Sequence, residues 1–100
     1  MNRLQATSIS EKVRKEVIQR DKCCIICGSR SFLQIAHYIN RSQGGLGLKE
    51  NLVLLCGLCH READNGKNSL EIKAKVKKYL NDLYPDFTDE MRIYDKWRKE

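Results

Sequence analysis

The sequence lacks any long hydrophobic run: the longest, residues 52–56, has five residues, whereas a membrane-spanning helix needs about 20. The first ten residues also lack the apolar stretch of about seven or more residues that a secretory signal contains. The chain has a single proline and no repeated or low-complexity segment. We therefore expect one soluble domain over residues 1–100, in a reducing, cytoplasmic compartment.

Acidic residues are also in short supply: 13 Asp and Glu stand against 19 Lys and Arg, for a formal net charge of +6 and a pI near 9.2. This excess favours a polyanionic partner, with nucleic acid ahead of an anionic membrane surface. Aromatic residues make up only 7% of the chain and form no recognisable stacking platform, which disfavours an RNA-binding domain. A chain of this length buries only a small core, so an additional cross-link is expected.

Five cysteines are present, and in a reducing compartment they indicate metal binding or reactive thiols rather than disulfides. Cys24 and Cys27 form one Cys-x-x-Cys pair, Cys56 and Cys59 form a second, and 28 residues separate the pairs. Two such pairs are typical of a structural site in which four thiolates surround one Zn²⁺ ion. Cys23 is left outside this set because pairing it with Cys27 would need a less usual spacing. Incidental thiols and a thioredoxin-type redox pair are the weaker alternatives.

Hydrophobic periodicity and turn residues divide the chain into three zones. The first predicts a helix over residues 8–20, capped by Ser8 or Ser10. The middle zone, residues 21–66, predicts two short strands around a glycine-containing loop and then a helix. These elements are expected at residues 32–39, at residues 52–55 and from about Cys59 onward.

The third zone, residues 67–100, predicts a helical extension with an interruption near Pro85. Apolar residues recur at helical spacing up to Leu83 and again from Met91, so two helices are expected. The aromatic residues of the terminal helices are expected to pack in the core rather than stack on bases; these are Tyr79, Tyr94 and Trp97.

Between and just after the cysteine pairs, the chain carries a set of residues that rarely occur together: His37, Arg41-Ser42, Gly44-Gly45, Asn51-Leu52-Val53 and His60. In these residues, and over residues 13–66, the sequence resembles the HNH endonucleases, many of which place their active site between two zinc-binding pairs. The resemblance implies an α+β fold, with a ββα-metal core held together by a four-cysteine zinc site and flanked by N-terminal and C-terminal helices. It also implies DNA as the partner, in a bacterium or a phage-infected host cell.

Hydrolysis of a phosphodiester needs a base to deprotonate water, a cation to absorb charge and a rigid frame. His37 can be neutral and basic near neutral pH, and the resemblance makes it the general base. His60 and Asp64 are four residues apart, so on a helix they share a face and can bind one divalent ion. The resemblance maps the family's metal ligands to these two residues. It also maps the central asparagine, which orders the loop around the base, to Asn51.

One position departs from the family pattern. The residue before the base is commonly an Asp or His that also binds the metal, and here it is Ala36. The ion would then be held by His60, Asp64, water and the scissile phosphate, which suits Mg²⁺ or Mn²⁺. Binding of the ion is expected to be weak without DNA.

Each candidate residue also has an ordinary structural interpretation. A histidine on a strand is more often a hydrogen-bonded structural residue than a catalyst, and His60 could cap the helix or bind zinc. Asp64-Asn65-Gly66 is also a common helix-ending turn. Their joint presence, with the glycine loop and the asparagine, favours the catalytic interpretation.

Basic residues lie beside the predicted site and continue beyond it. Arg41 and Arg61 are candidates for binding a phosphate through their guanidinium groups. A lysine-rich segment of the third zone could follow a DNA backbone, through Lys73, Lys75, Lys77 and Lys78. A solvated helix face that keeps the protein soluble is the alternative for each lysine.

Together these patterns favour a metal-dependent HNH endonuclease that hydrolyses DNA, which is expected to be double-stranded. The main alternative is a non-catalytic zinc-ribbon DNA-binding module that lost activity with the ligand at position 36. An RNA-binding or protein-adaptor zinc domain is a third and weaker alternative. Intact His37, Asn51, His60 and Asp64 favour the enzyme.

Overall fold

The computed structural model describes residues 2–95. Within them, a two-stranded antiparallel sheet is combined with helices, which confirms the α+β class. The helices and strands are α1 Arg3–Thr7, α2 Glu11–Asp21, β1 Leu33–His37, β2 Leu52–Cys56, α3 Gly57–Asn65 and α4 Ser69–Leu83. Short 3-10 turns lie at Arg41–Gln43, Lys49–Asn51 and Glu90–Arg92. No helix in residues 2–95 has both the length and the apolar character that crossing a membrane would need.

The hairpin of β1 and β2 leads directly into α3. Its register pairs Leu33 with Cys56 at one end and His37 with Leu52 at the other. All five residues of β2 are buried, because α2, α3 and α4 cover the hairpin, and a strand covered on both faces is hydrophobic throughout. β1 is shorter than predicted, β2 is one residue longer, and α3 begins at Gly57 rather than at about Cys59.

The N-terminal helix is confirmed, with a later start than predicted. α2 begins at Glu11, and the Oγ of Ser10 caps it by accepting a hydrogen bond from the backbone N–H of Val13 at 3.2 Å. Ser8, the other candidate cap, instead follows the short helix α1, which the sequence did not predict. Ser8 is the C-cap of α1, where its N–H donates to the carbonyl of Gln5, so Ser10 is the residue that caps the start of α2.

Asp21, at the end of α2, ties three elements together. Its buried carboxylate accepts hydrogen bonds from the backbone N–H of Leu54 on β2 at 2.9 Å and from the hydroxyl of Tyr79 on α4. The guanidinium of Arg20 binds the same carboxylate with an Nε–Oδ1 distance of 2.6 Å. A buried carboxylate is stable only when it is paired in this way, so these contacts hold α2 and α4 on the hairpin.

Helix α4 completes the core on the α3 side of the sheet. It buries Ile72, Val76 and Leu80, which share one face because they recur at intervals of four residues. This face packs in one cluster with Ala36 and Ala63. Tyr79 packs against the same cluster, as predicted for that residue.

The prediction of a second C-terminal helix that begins at Met91 is wrong for residues up to 95, where the described part of the chain ends. The chain instead forms a 3-10 turn at Glu90–Arg92, and Ile93 pairs as a β-bridge with Gly45. The physical reason is Arg92, which is fully buried and whose Nε donates to the carbonyl of Glu50 at 2.7 Å. Tying this side chain to the loop before β2 holds the segment against the core. Trp97 lies outside the described residues.

Candidate active site

The two cysteine pairs meet where the hairpin joins α3. The Sγ atoms of Cys24, Cys27, Cys56 and Cys59 all lie within 4.8 Å of one another, and the sulfurs of Cys27 and Cys56 are 3.6 Å apart. Four thiolates at about 2.3 Å from one tetrahedral Zn²⁺ would be separated by about 3.8 Å, so this spacing fits. The four cysteines are therefore placed to hold a metal ion, consistent with structural zinc. Cys23 is outside the cluster, as predicted.

Local backbone geometry brings each pair of sulfurs together. In the first pair, Gly28 adopts a φ of 78° and its N–H donates to the carbonyl of Cys24 at 2.9 Å, which closes a tight turn around Cys27. In the second pair, Cys56 is the N-cap of α3 and Cys59 lies in the first helical turn, with its N–H 3.5 Å from the sulfur of Cys56. Both pairs are thus formed by a turn of three or four residues.

His37, His60 and Asp64 line one small cavity of about 20 Å³, which is room for about one water molecule. His60 and Asp64 are one turn apart on α3, and the Nε2 of His60 is 3.7 Å from the Oδ2 of Asp64. Lys73, on α4, lines the same cavity. The structure therefore brings together residues that are separated by up to 36 positions in the sequence.

The ring of His37 is held by a contact from outside the hairpin. Its Nε2 lies 3.0 Å from the carbonyl oxygen of Thr7, at the end of α1. A carbonyl oxygen can only accept, so in the neutral ring Nε2 carries the proton and Nδ1 is left as the acceptor. Burial lowers the pKa of His37 below its ordinary value, the charges of Arg41 and His60 add to this effect, and the Thr7 carbonyl opposes it. The neutral, basic form of the ring therefore predominates at pH 7.

The ring of His60 is held in the opposite tautomer. Its Nδ1 is 2.6 Å from the Oε1 of Gln34, an amide oxygen that can only accept, so Nδ1 carries the proton. In the neutral ring the lone pair is then on Nε2, the nitrogen that lies 3.7 Å from Oδ2 of Asp64. One histidine thus presents Nδ1 as an acceptor and the other presents Nε2.

Asn51 is fully buried and its amide binds the loop that follows His37. Its Oδ1 accepts from the N–H of Ile39 at 3.0 Å, and its Nδ2 donates to the carbonyls of Ile39 at 3.2 Å and Leu46 at 2.9 Å. The carbonyl of Asn51 also accepts from the N–H of Tyr38 at 2.8 Å. The residue therefore holds both ends of the loop between β1 and β2.

Ala36 is on the side of β1 that faces α3. Alternate strand residues share a face, and Gln34, two residues earlier, reaches His60. The methyl group of Ala36 is only 4% exposed and belongs to the apolar core. Within residues 2–95, the four cysteines form the one group of three or more metal-binding side chains, so His60 and Asp64 stand as a pair.

The basic residues fall into two groups. Lys73 is half-buried at the cavity, and Arg41 and Arg61 are exposed. The other three lysines of α4 lie in ion pairs with acidic residues: Lys75 with Glu71 at 3.4 Å, Lys77 with Asp89 at 3.8 Å and Lys78 with Asp82 at 2.8 Å. Lys73 is therefore the member of the predicted lysine set that the fold brings to the site.

Two residues of this site, Thr7 and Gln34, were missed by sequence reasoning. The alternation of strand β1 carried a signal for Gln34, because it shares a face with Ala36 and hence with the position of the missing ligand. Thr7 contributes a backbone carbonyl, which every residue type has, so its contact with His37 left no signal in the sequence.

Known proteins that are similar to this chain include nucleases. Residues 24–66 match the family model for HNH endonucleases. The chain is 31% identical over 94 residues to the type IV methyl-directed restriction enzyme EcoKMcrA of Escherichia coli K12, a match that covers 83% of this chain and 34% of that enzyme. It is also similar to the structure of the type IV phosphorothioation-dependent restriction endonuclease ScoMcrA, with a TM-score of 0.63 at 19% identity over 78% of this chain and 17% of that chain. The latter likeness is one of fold, and this chain spans about a third of the length of the curated relative.

Proposed function

We propose that this protein is a metal-dependent endonuclease that hydrolyses phosphodiester bonds in double-stranded DNA, because residues 24–66 match the family model for HNH endonucleases. One observation carries the proposal: two histidines, each with one ring nitrogen within hydrogen-bond distance of a fixed oxygen, line the same cavity as one carboxylate. The products, as the resemblance implies, are a 5′-phosphate and a 3′-hydroxyl. A cytoplasmic location stays a prediction.

His37 acts as the general base in this proposal. With Nε2 bound to the Thr7 carbonyl, Nδ1 is the nitrogen that accepts a proton from the attacking water. The positive charge that the ring gains is stabilised at Nε2, where the carbonyl oxygen accepts a stronger hydrogen bond from the protonated ring. Thr7 is therefore a positioning residue, and its contribution is independent of its side chain.

His60 and Asp64 fit a divalent ion, since an unprotonated imidazole nitrogen and a carboxylate lie side by side on α3. Mg²⁺ or Mn²⁺ bound there would stabilise negative charge on the phosphoryl oxygens and on the leaving 3′-oxygen. The Oε1 of Gln34 accepts a hydrogen bond from Nδ1 of His60, and a hydrogen bond of this kind fixes the ring orientation of metal-binding histidines. With two protein ligands, affinity for the ion in the absence of DNA should be low.

The remaining residues orient the reacting groups and bind the backbone. Asn51 holds the loop around His37 through the four hydrogen bonds described above, so its role is to restrict the position of the base. Lys73 lines the cavity and can bind the scissile phosphate there. Exposed Arg41, whose charge acts on His37, and exposed Arg61, which follows His60 on α3, add further positive charge. The zinc cluster has four thiolates and no open position, so its role is structural.

Cleavage of supercoiled plasmid DNA tests the proposal directly. The zinc-loaded protein should give nicked circles, linear molecules or both with Mg²⁺ or Mn²⁺, and intact plasmid without a divalent ion. Absence of cleavage with every divalent ion, by a folded protein that binds DNA, would contradict the assigned activity.

Two variants separate the roles within the site. His37→Ala should lower the cleavage rate by about 10²- to 10⁴-fold while leaving zinc content and DNA affinity unchanged, because a base acts in the transition state. His60→Ala should lose cleavage and Mn²⁺ binding together, whereas His37→Ala should still bind Mn²⁺. A robustly active His37→Ala protein would remove this residue from the mechanism.

A non-catalytic DNA-binding module is the second candidate, and one observation favours it. Ala36 occupies the position where relatives commonly have a metal ligand, and its side chain is buried among apolar residues. This candidate predicts DNA binding that is salt-sensitive and independent of Mg²⁺, with no change in plasmid topology. The plasmid assay therefore separates the two candidates.

A further inference from the structure

Phe32, the residue before β1, combines an exposed ring with an unfavourable backbone conformation. The residue is 88% exposed and has a φ of 54°, in the left-handed region that bulky side chains rarely adopt. Its carbonyl accepts a hydrogen bond from the N–H of Gly57 at 2.9 Å, which holds this conformation beside the start of α3. A strained residue that displays a large apolar ring to solvent contributes little to the core, and strain of this kind concentrates at binding sites.

The ring does not stand alone. Leu58, which is 74% exposed in the first turn of α3, and Arg61, one turn further along, line an open cavity with Phe32 and Gln34. We call these four residues the Phe32 pocket. The cavity has a volume of about 510 Å³, within the range of small-molecule sites, and its wall also includes Cys27 and Cys56 of the proposed zinc site.

The chemistry of the Phe32 pocket matches a nucleobase of bound DNA. An aromatic ring and an aliphatic side chain offer apolar faces for stacking, and the guanidinium of Arg61 is positively charged. The amide oxygen of Gln34 is bound to His60, which leaves its Nε2 as a donor for an acceptor on a base edge. The net charge of +6 favours a polyanionic strand over an uncharged ligand.

The Phe32 pocket also adjoins the proposed cleavage site. Gln34 lines the pocket and contacts His60, and Arg61 follows His60 on α3. A strand whose phosphate lies at the catalytic cavity therefore has neighbouring bases within reach of Phe32. We propose that the Phe32 pocket binds a nucleobase of the DNA substrate that has left the base stack next to the cleavage site. The proposal rests on the proposed function, because it places the DNA at His37 and His60.

Fluorescence of 2-aminopurine, a base whose emission rises on unstacking, tests this binding site. Two short duplexes of the same sequence are compared, one with 2-aminopurine paired and one with it mismatched, because a mismatched base costs less to unstack. Titrations without added divalent ion report binding alone. The parent protein should increase the emission and should bind the mismatched duplex more tightly than the paired one.

Phe32→Ala should abolish the emission increase and the preference for the mismatched duplex, and should weaken binding by about 5- to 150-fold, as expected for loss of one base–aromatic stack. Phe32→Trp, which keeps an aromatic face, should retain the affinity and the preference for the mismatched duplex. Leu70→Ala is the matched control, because Leu70 is 85% exposed on α4 and does not line the Phe32 pocket. A Phe32→Ala protein with unchanged affinity and emission would overturn the proposal.

Phe32→Gly gives an independent readout with two opposite effects. Glycine adopts a positive φ without strain, so the Phe32→Gly protein should be more stable, with a melting temperature about 4–8 °C above that of the parent. Its DNA binding should fall as in Phe32→Ala. A fall in both quantities would mean that the ring supports the fold, and the proposal would fail. Sedimentation of the parent and of Phe32→Ala tests whether the Phe32 pocket instead binds a second copy of the chain. A dimer that dissociates in Phe32→Ala would also overturn the proposal.

Failure of the base-binding site and failure of the proposed function give different results. Plasmid cleavage that persists in Phe32→Ala with unaltered DNA affinity rejects the pocket and keeps the nuclease. Emission changes that depend on Phe32, in a folded protein that leaves the plasmid intact with every divalent ion, keep the pocket and reject the nuclease.

Discussion

The proposed zinc cluster (Cys24, Cys27, Cys56 and Cys59) and the proposed catalytic cavity (His37, His60 and Asp64) share one hairpin and one helix, yet they are built in different ways. The zinc cluster takes its four sulfurs from two local Cys-x-x-Cys turns that the hairpin brings together. The cavity has two proposed ligands on α3, and the orientation of its histidines depends on Thr7 and Gln34, which lie 30 and 26 positions away from the rings that they bind. A closed set of four ligands stabilises the fold, whereas an open pair leaves room for substrate and water. Changes at the cluster should therefore affect folding first, and changes at the cavity should affect chemistry first.

Removal of one zinc ligand should have the largest effect. Cys56→Ser should lose zinc and unfold residues 21–66, because zinc binding energy is largely folding energy and a domain has only about 5–15 kcal/mol of stability. Circular dichroism and elemental analysis measure the two losses. The matched control is Cys23→Ser, which should change stability by less than about 0.5 kcal/mol because Cys23 is outside the cluster. A Cys56→Ser protein that melts like the parent would remove zinc from the account of the fold.

Adding a third ligand to the cavity should raise its affinity for a divalent ion and so bring it closer to the four-ligand cluster. Ala36→Asp should place a carboxylate on the α3 side of β1, and should lower the Mg²⁺ or Mn²⁺ concentration for half-maximal cleavage by roughly tenfold, since a nearby opposite charge contributes several kcal/mol before desolvation. The buried position makes a lower melting temperature an expected cost. Ion titrations of the folded variant, with Ala36→Ser as the uncharged control, decide it. An unchanged metal requirement would mean that residue 36 does not face the ion.

A change of pH should affect cleavage at the cavity without affecting the cluster, and this effect should be smaller than those of the two substitutions above. Burial lowers the pKa of His37, so the ring stays neutral to more acidic pH than a free histidine, and the acid limb of kcat/KM should have its midpoint below pH 6.5. At pH 6.5 the protein should keep more than half of its plateau activity. Zinc content measured across the same range excludes loss of the cluster as the cause. A midpoint above pH 6.5 would contradict a buried His37 base.

Lysines of α4 should give the smallest effects, and they test how far the cavity extends. Lys73→Ala should weaken binding across all DNA sequences and reduce the slope of log affinity against log salt by about 1, whereas Lys78→Ala should change neither, because Lys78 is paired with Asp82. Replacing Lys75 and Lys77 together tests the prediction from the sequence that the lysine-rich segment of α4 follows a DNA backbone. Equal slopes for the parent and Lys73→Ala would mean that no phosphate lies at that end of the cavity.

Prediction from sequence succeeded where residues act through their neighbours and failed where a distant contact decides the conformation. The two Cys-x-x-Cys pairs, the apolar strand β2 and the periodic face of α4 were all found in local patterns. Up to residue 95, where the described part of the chain ends, the helix predicted from Met91 is wrong. Arg92 binds the carbonyl of Glu50, 42 positions earlier, and this contact outweighs a short helical periodicity. The start of α3 was placed too late because Cys56 caps the helix through its sulfur, and the Cys-x-x-Cys spacing had assigned that sulfur only to zinc.

The sequence by itself determined the zinc cluster as a set of four cysteines, and it determined that His60 and Asp64 share a helix face, because both depend on fixed spacings of a few residues. The tertiary structure alone decided which nitrogen of each histidine is available, since the Thr7 carbonyl and the Gln34 amide reach the rings only after α1 and β1 are packed. It also decided which lysine lies at the cavity and that Phe32 is exposed beside it. Hydrogen bonds to backbone atoms and the exposure of a surface ring depend on which distant segments meet, and no local pattern of residue types records that.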